Sequence, residues 1–280
     1  MIHNINLDQQ AVGSFDYANY LKNGFFYPLK ALKNNKLLEY QEVYKQLESK
    51  FSGKIPAFYN AKIHLLVPSL WDLVSYESII SPVRTILGEN LLCLGTSFIS
   101  KSGQDTKKYV AWHQDITYWG LSQPRAVTVW LALTQSNKKN GCVVVIPRSH
   151  QHPVPHVIDN KDQDNMLGRR EKLAFSIDEE NLVNLELNPG QISLHDGQII
   201  HGSLPNYSGA PRVGFAMRFI SSEVSPVVNT VNSATLVAGE NLGAFKLESR
   251  PEAFFHTDAL KAHQESFRNG MRTIFSNPKK

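Results

Sequence analysis

The chain is poor in the features that mark most specialised protein classes. Two cysteines in 280 residues do not make a disulfide scaffold. Both Cys93 and Cys142 stand in apolar runs, LLCLG and GCVVVI, where a free thiol behaves as a small hydrophobe. No run approaches the roughly 18 consecutive apolar residues of a membrane-spanning helix, and the opening MIHNINLDQQ has no apolar stretch of the kind a secretory leader carries. No repeat is evident. Charge of one sign is scarce as well. The net charge is +4, and apart from short pairs such as Lys107-Lys108 and Lys138-Lys139 the basic residues are scattered, which gives no footprint for nucleic acid. The expectation is a cytoplasmic protein with neither membrane nor nucleic-acid partners.

What is present is enough apolar material, 42% of the chain, to bury a large core. The length suits one domain in three parts: a helical scaffold over 1–90, a strand-rich core over 91–222, and a C-terminal segment and helix over 223–280. In the scaffold, residues 7 to 23 read as a helix ending at Gly24, and Phe25-Phe26-Tyr27 as a short strand. Apolar spacing predicts a second helix from Leu29 to Phe51. A third is expected to be capped by Ser81, with Pro82 at its first position and Gly88 after its last turn.

Beyond Gly88 the period changes to two. Alternation places Thr96, Phe98 and Ser100 on one strand face, expected to look into a pocket. It also sets Thr128, Trp130 and Ala132 against Val127, Val129, Leu131 and Leu133. In RVGFAMRF, Val213, Phe215, Met217 and Phe219 share one face. Arg212, Gly214, Ala216 and Arg218 share the other, charged at both ends and empty between, with room for a small diacid. Leu260, His263, Phe267, Met271 and Ile274 mark an amphipathic final helix. Many short strands separated by turns such as Asn140-Gly141, Pro189-Gly190 and Asp196-Gly197 predict a mainly β sandwich or jelly roll with flanking helices.

The chemistry gathers around Trp112-His113-Gln114-Asp115. On a strand, His113 and Asp115 project from the same face about 7 Å apart. Two histidines and a carboxylate bound facially suit Fe(II), because three coordination positions stay open. The third ligand is His201 or, as a rival, His195. A denser group, His150, His152 and His156, follows Pro147 and reads as solvated loop histidines.

The blocks WHQDITYWGL, VTVWLALTQSNKKNGCVVVIPRSH, NPGQISLHDGQIIHGS and RVGFAMRFI, in that order, resemble the phytanoyl-CoA dioxygenase family of Fe(II)/2-oxoglutarate oxygenases, from about Lys62 to the C-terminal helix. The resemblance implies a double-stranded β-helix, a cupin-like jelly roll of two antiparallel sheets, using Fe(II), 2-oxoglutarate and O2 to hydroxylate a small molecule. It favours His201 over His195, since Gly202-Ser203 follow His201 and Arg212 lies eleven residues on, the spacing of the family's 2-oxoglutarate arginine. Arg218 is the runner-up for that role. Ser203 takes a cosubstrate-contacting position, and Trp130 is expected to pack over the cosubstrate. Counted back from His113, Thr96 and Ser100 fall where the family meets cosubstrate or substrate. Lys62 and His64 resemble a basic pair near the family's pocket, expected to contact an anionic substrate, with Tyr118 and Trp119 walling the site. Asp115 argues against a halogenase, which lacks the carboxylate ligand, and the intact ligands and arginine argue against a non-catalytic metal-binding module. WHQD-x-TYWGL with SATLV-x-G, Ser233 to Gly239, is most like a bacterial branch containing hydroxylases of aminoalkylphosphonates such as 2-aminoethylphosphonate. There, Lys62, His64, Lys101 and Arg218 are the available cations. The alternative substrate is an acyl or amino-acid-derived natural-product intermediate.

Overall fold

A computed structural model describes residues 14–104, 106–227 and 232–275. Helices α1 (Tyr17–Asn23), α2 (Asn34–Lys50), α3 (Ala57–Asn60), α4 (Pro68–Val74) and α5 (Glu77–Leu87) precede most of the strands, and α6 (Thr257–Phe275) follows them. The strands are β1 (Phe25–Lys30), β2 (Leu91–Lys101), β3 (Val110–His113), β4 (Ala126–Ala132), β5 (Val143–Val145), β6 (His156–Ile158), β7 (Glu171–Leu173), β8 (Val183–Leu185), β9 (Gln191–Asp196), β10 (His201–Ser203), β11 (Arg212–Ser221), β12 (Ser233–Ala238) and β13 (Lys246–Leu247). They form a seven-stranded sheet in the order β1-β9-β4-β11-β2-β12-β13, a four-stranded sheet in the order β3-β10-β5-β8, and the ribbon β6-β7. All pairings are antiparallel except β12 with β13. This is the jelly roll with flanking helices.

Two apolar layers follow from strand alternation. The outer face of the large sheet carries Val127, Val129, Leu131, Val213, Phe215, Met217 and Phe219, packed with α2, α4 and α5 residues such as Leu47, Leu70 and Ile79. The inner face sets Trp130, Ala132 and Ala216 against Val143, Val145 and Leu185 of the small sheet. Burying each such large side chain contributes roughly 1.5–3 kcal/mol, and doing so on both faces fixes the register. Among the described residues no helix is long and apolar enough to cross a membrane. Both cysteines are buried free thiols.

Several element boundaries differ from those expected. Of the helix expected over 7–23, residues 7–13 lie outside the described residues, and the rest starts at Tyr17, capped by the Asp16 side chain. Gly24 closes it in the left-handed conformation, as expected. Leu29 belongs to β1, because residues Phe25 to Lys30 extend the main sheet beside β9, so α2 begins only at Asn34. In α5, Ser81 is not the cap: the helix starts one turn earlier at Glu77 and carries Pro82 inside it. Pro82 has no N–H to offer the Ser78 carbonyl one turn back, so the helix forgoes that bond. The side chain of Ile274 in α6 lies outside what is described.

The face assignment of β2 is corrected at Thr96 and Phe98, although Ser100 does line the cavity. Thr96 and Phe98 point outward to the helices, where Phe98 packs on Tyr44 and Phe215 at centroid distances of 5.0 and 4.8 Å. Ser97 and Ile99, opposite Ala216 and Gly214, look inward. A register shift between Cys93 and Gly95 lies within this strand, and both faces carry polar residues, so polarity alone could not choose between them.

Candidate metal and cosubstrate site

The two sheets enclose a cavity of about 550 Å³ lined by His113, Asp115 and His201 at one end and by Ser203, Trp130 and Arg212 beside them. His113 on β3 and His201 on β10 are direct cross-strand partners, with ring centroids 4.1 Å apart. Strand β3 stops at His113, and Asp115 opens a short 3-10 turn, so the expectation that both lie on one strand is corrected. The turn still brings an Asp115 oxygen 3.5 Å from His113 Nε2. One ligand atom from each of His113, Asp115 and His201 lies within 4.8 Å of the others, the spacing of donors around one small cation.

Tautomers suit a metal. Nδ1 of His113 donates to the Ala111 carbonyl at 2.8 Å, and Nδ1 of His201 donates to the Ile199 carbonyl at 3.1 Å. Each leaves Nε2 with its lone pair toward the cluster, the usual way a second hydrogen bond sets a ligand imidazole. Burial pushes the His201 pKa well below the usual histidine value, and its neighbours His113 and His195 push the same way, which keeps it neutral and ready to ligate. Burial opposes ionisation of Asp115, but the neighbouring His113 and His195 imidazoles and the charge of Arg218 win, and its carboxyl stays well below the usual range. Burial opposes protonation of His113 too, yet Asp115 raises its pKa.

Gln114, wholly buried between these ligands, is a clamp that the sequence reading did not single out. Its side chain donates to the His152 and Gln198 carbonyls and accepts from Val154 N–H at 2.9 Å. Its backbone N–H donates to Nε2 of His156 at 2.9 Å, so His156 must hold its proton on Nδ1, where it donates to the Val154 carbonyl. Thr128 is a second such residue. It donates to Asp115 Oδ2 at 2.6 Å.

Beside the metal cluster lies a pair of buried basic side chains. Arg212 is 1% exposed and Lys101 2%, and among the described residues neither forms an ion pair with a carboxylate within 4.0 Å. Arg212 Nε and Nη2 have no hydrogen-bond partner, while its guanidinium lies 5.2 Å from the Trp130 ring. Lys101 donates to the Ser203 hydroxyl and carbonyl and to the Leu204 carbonyl. Burial and the Arg212 charge bring Lys101 down to about 6, and burial brings Arg212 to about 10. The desolvated Arg212 guanidinium with no anion beside it forms a seat for one, and an anion bound there would favour the charged form of Lys101.

Other expected site residues fall elsewhere. Ser100 lines the cavity, but Thr96, Lys62, His64, Tyr118 and Trp119 are not among its lining residues. His64 is buried behind the large sheet, bonded to Thr96 Oγ1 at 2.8 Å and Thr235 Oγ1 at 3.0 Å. The Lys62 ammonium is committed to Glu248 at 2.7 Å. Tyr118 lies under Arg169, 4.2 Å from its guanidinium carbon, and Trp119 packs with Ile116 and Leu121 against the Leu92 cluster. Placing Lys62 and His64 at a substrate is therefore corrected, since their polar partners hold them in the scaffold, and Tyr118 and Trp119 lie outside the cavity lining. His195, the rival ligand, does line the cavity.

A family model described as phytanoyl-CoA dioxygenase matches residues 34–214. An ectoine dioxygenase of Nocardia farcinica is 26% identical over 191 residues, 63% of this chain and 63% of that protein. A probable alpha-ketoglutarate-dependent hypophosphite dioxygenase of Stutzerimonas stutzeri is 25% identical over 181 residues, 60% of this chain and 59% of that protein. The chain thus spans a little under two-thirds of the curated relatives it matches. Among solved structures, the non-heme monooxygenase ThoJ in its apo form is 30% identical with a TM-score of 0.80, covering 92% of this chain and 97% of that one. A nickel complex of ThoJ superposes with a TM-score of 0.77.

Proposed function

Because this chain belongs to the phytanoyl-CoA dioxygenase family, we propose that it is an Fe(II)- and 2-oxoglutarate-dependent hydroxylase of a small anionic metabolite. His113, Asp115 and His201 would hold the iron. Arg212, with Ser203 beside it, would take the far carboxylate of 2-oxoglutarate, and Trp130 would carry the guanidinium on its face. Bound together, iron, 2-oxoglutarate and O2 supply the oxidation: the oxo acid becomes succinate and CO2, and one oxygen atom enters a C–H bond. The protein contributes ligands, orientation and exclusion of water. The observation that carries the reading is the buried guanidinium of Arg212, its Nε and Nη2 without a partner, in the same cavity as a three-donor metal cluster.

The cavity's charge supports an anionic substrate. Lys54, Arg170 and Arg218 line it in addition to Arg212, Lys108 there is paired with Asp164 at 3.0 Å, and Asp115, itself a proposed ligand, is the sole carboxylate among the described lining residues. Arg218 Nη1 donates to Ser97 Oγ at 3.1 Å, which aims its charge inward beside Asp115. A relative named for hypophosphite adds support for a small phosphorus oxoanion, and an aminoalkylphosphonate such as 2-aminoethylphosphonate meets both conditions. Anaerobic addition of Fe(II) and 2-oxoglutarate should produce the weak visible charge-transfer band of their chelate, absent in His113→Ala, Asp115→Ala and His201→Ala. Succinate release should then couple to hydroxylation of 2-aminoethylphosphonate or its N-methylated relatives. No band in the wild type refutes the cofactor assignment, and coupled turnover with an acyl-CoA alone refutes the substrate class.

A further inference from the structure

One buried titratable side chain in the cavity is left unused by that reading. His195 is 2% exposed, yet neither of its ring nitrogens has a hydrogen-bond partner among the described residues. A buried imidazole without a partner destabilises the fold, so its place calls for a role in the loaded site. Its position is set by the sheet: His195 on β9 sits directly opposite Thr128 on β4, and both side chains face inward to the cavity.

The two oxygens of Asp115 have different surroundings. Oδ1 faces His113 Nε2 at 3.5 Å. Oδ2 accepts from Thr128 Oγ1 at 2.6 Å and has His195 Nε2 at 3.9 Å, within electrostatic reach and beyond a direct hydrogen bond. We infer that His195 is a positioning residue for Asp115: with Thr128 it holds the carboxylate by Oδ2, so that Oδ1 alone is presented to the metal. The inference rests on the proposed metal role of His113, Asp115 and His201. A carboxylate held this way would offer a metal one oxygen, with the other engaged by Thr128. It also distinguishes His195 from a ligand, since His195 approaches Asp115 at the oxygen turned toward Thr128.

Co(II) is the probe, titrated into the full chain and followed by calorimetry and by its visible absorption. Partners that orient metal ligands are typically worth 10–100-fold in affinity, so His195→Leu and Thr128→Val should each raise the Co(II) Kd about tenfold. The Co(II) bands should shift in both. His195→Gln keeps a donor at a similar reach and should recover most of the affinity. The double variant should lose less than the product of the two single losses, because both residues act on one oxygen. An unchanged Kd in His195→Leu overturns the inference, as does a His195→Gln as weak as the leucine variant, or losses that simply multiply. A wild type that does not bind Co(II) removes the metal reading itself, and the inference with it.

Discussion

Arg212 has more at stake than any other single side chain. Its guanidinium is buried without an acid, and an anion that docks there recovers charge-assisted hydrogen bonds worth about 1.5–3 kcal/mol. Arg212→Ala should therefore raise the KM for 2-oxoglutarate about ten- to a hundredfold and change kcat less, measured by succinate release at saturating Fe(II). An unchanged KM, with a rise in Arg218→Ala instead, would transfer the role to Arg218. The two arginines share the inward face of β11, so strand alternation alone could not separate them. The structure separates them by burial and neighbours: Arg212 lies with Lys101 and Ser203, whereas Arg218 is half-buried and held by Ser97.

At the level of elements, β11 does two jobs with its two faces. Outward, Phe215, Met217 and Phe219 build the core under the helices. Inward, Gly214 makes room for the Trp130 ring, since a Cβ at position 214 would stand 1.8 Å from Trp130 Cζ2. Gly214→Ala must therefore displace the ring. Overpacking of this kind costs about 1–3 kcal/mol, and because Trp130 lies against Arg212 the KM for 2-oxoglutarate should rise with it. Thermal melts and steady-state kinetics check both effects. A variant as stable as the wild type with an unchanged KM would show that the ring has slack. The alternation of β4 and β11 was legible in the sequence because one face of each is uniformly large and apolar. That of β2 was not, because its outward threonine is satisfied by a histidine 32 residues earlier.

Across the whole molecule, a buried polar cluster ties distant segments together behind the large sheet. Glu248 pairs with Lys62 at 2.7 Å and accepts from Ser233, Thr235 and Ser266 at 2.8, 2.7 and 3.0 Å. Burial would raise the Glu248 pKa, but Lys62 and His64 override it and hold the carboxyl far below its ordinary 4.5. The unfolded chain thus takes up the proton first as pH falls. The stabilisation is fully present above about pH 4.5 and is lost as pH drops through the folded value. Glu248→Gln should destabilise the protein by about 3–5 kcal/mol at neutral pH, since it leaves a largely buried lysine without its charge partner. The gap to wild type should narrow below pH 4.5, as urea unfolding across pH will show. A gap that stays constant with pH would mean that Glu248 acts through its hydrogen bonds and not its charge.

The sequence by itself determined the strand-rich class and the amphipathic alternation of β4 and β11, because local periodicity carries that information; the family resemblance, not periodicity, put forward His113, Asp115, His201 and Arg212 as a set. Tertiary structure alone decided the rest. Lys62 and His64 look like a basic pair at a pocket until Glu248, 186 residues beyond Lys62, turns them into scaffold. His195 looks like a rival ligand until the β4–β9 pairing sets it beside Thr128 at the second oxygen of Asp115. Which partner a charged or polar side chain meets depends on contacts between strands far apart in the chain, and no local pattern encodes them.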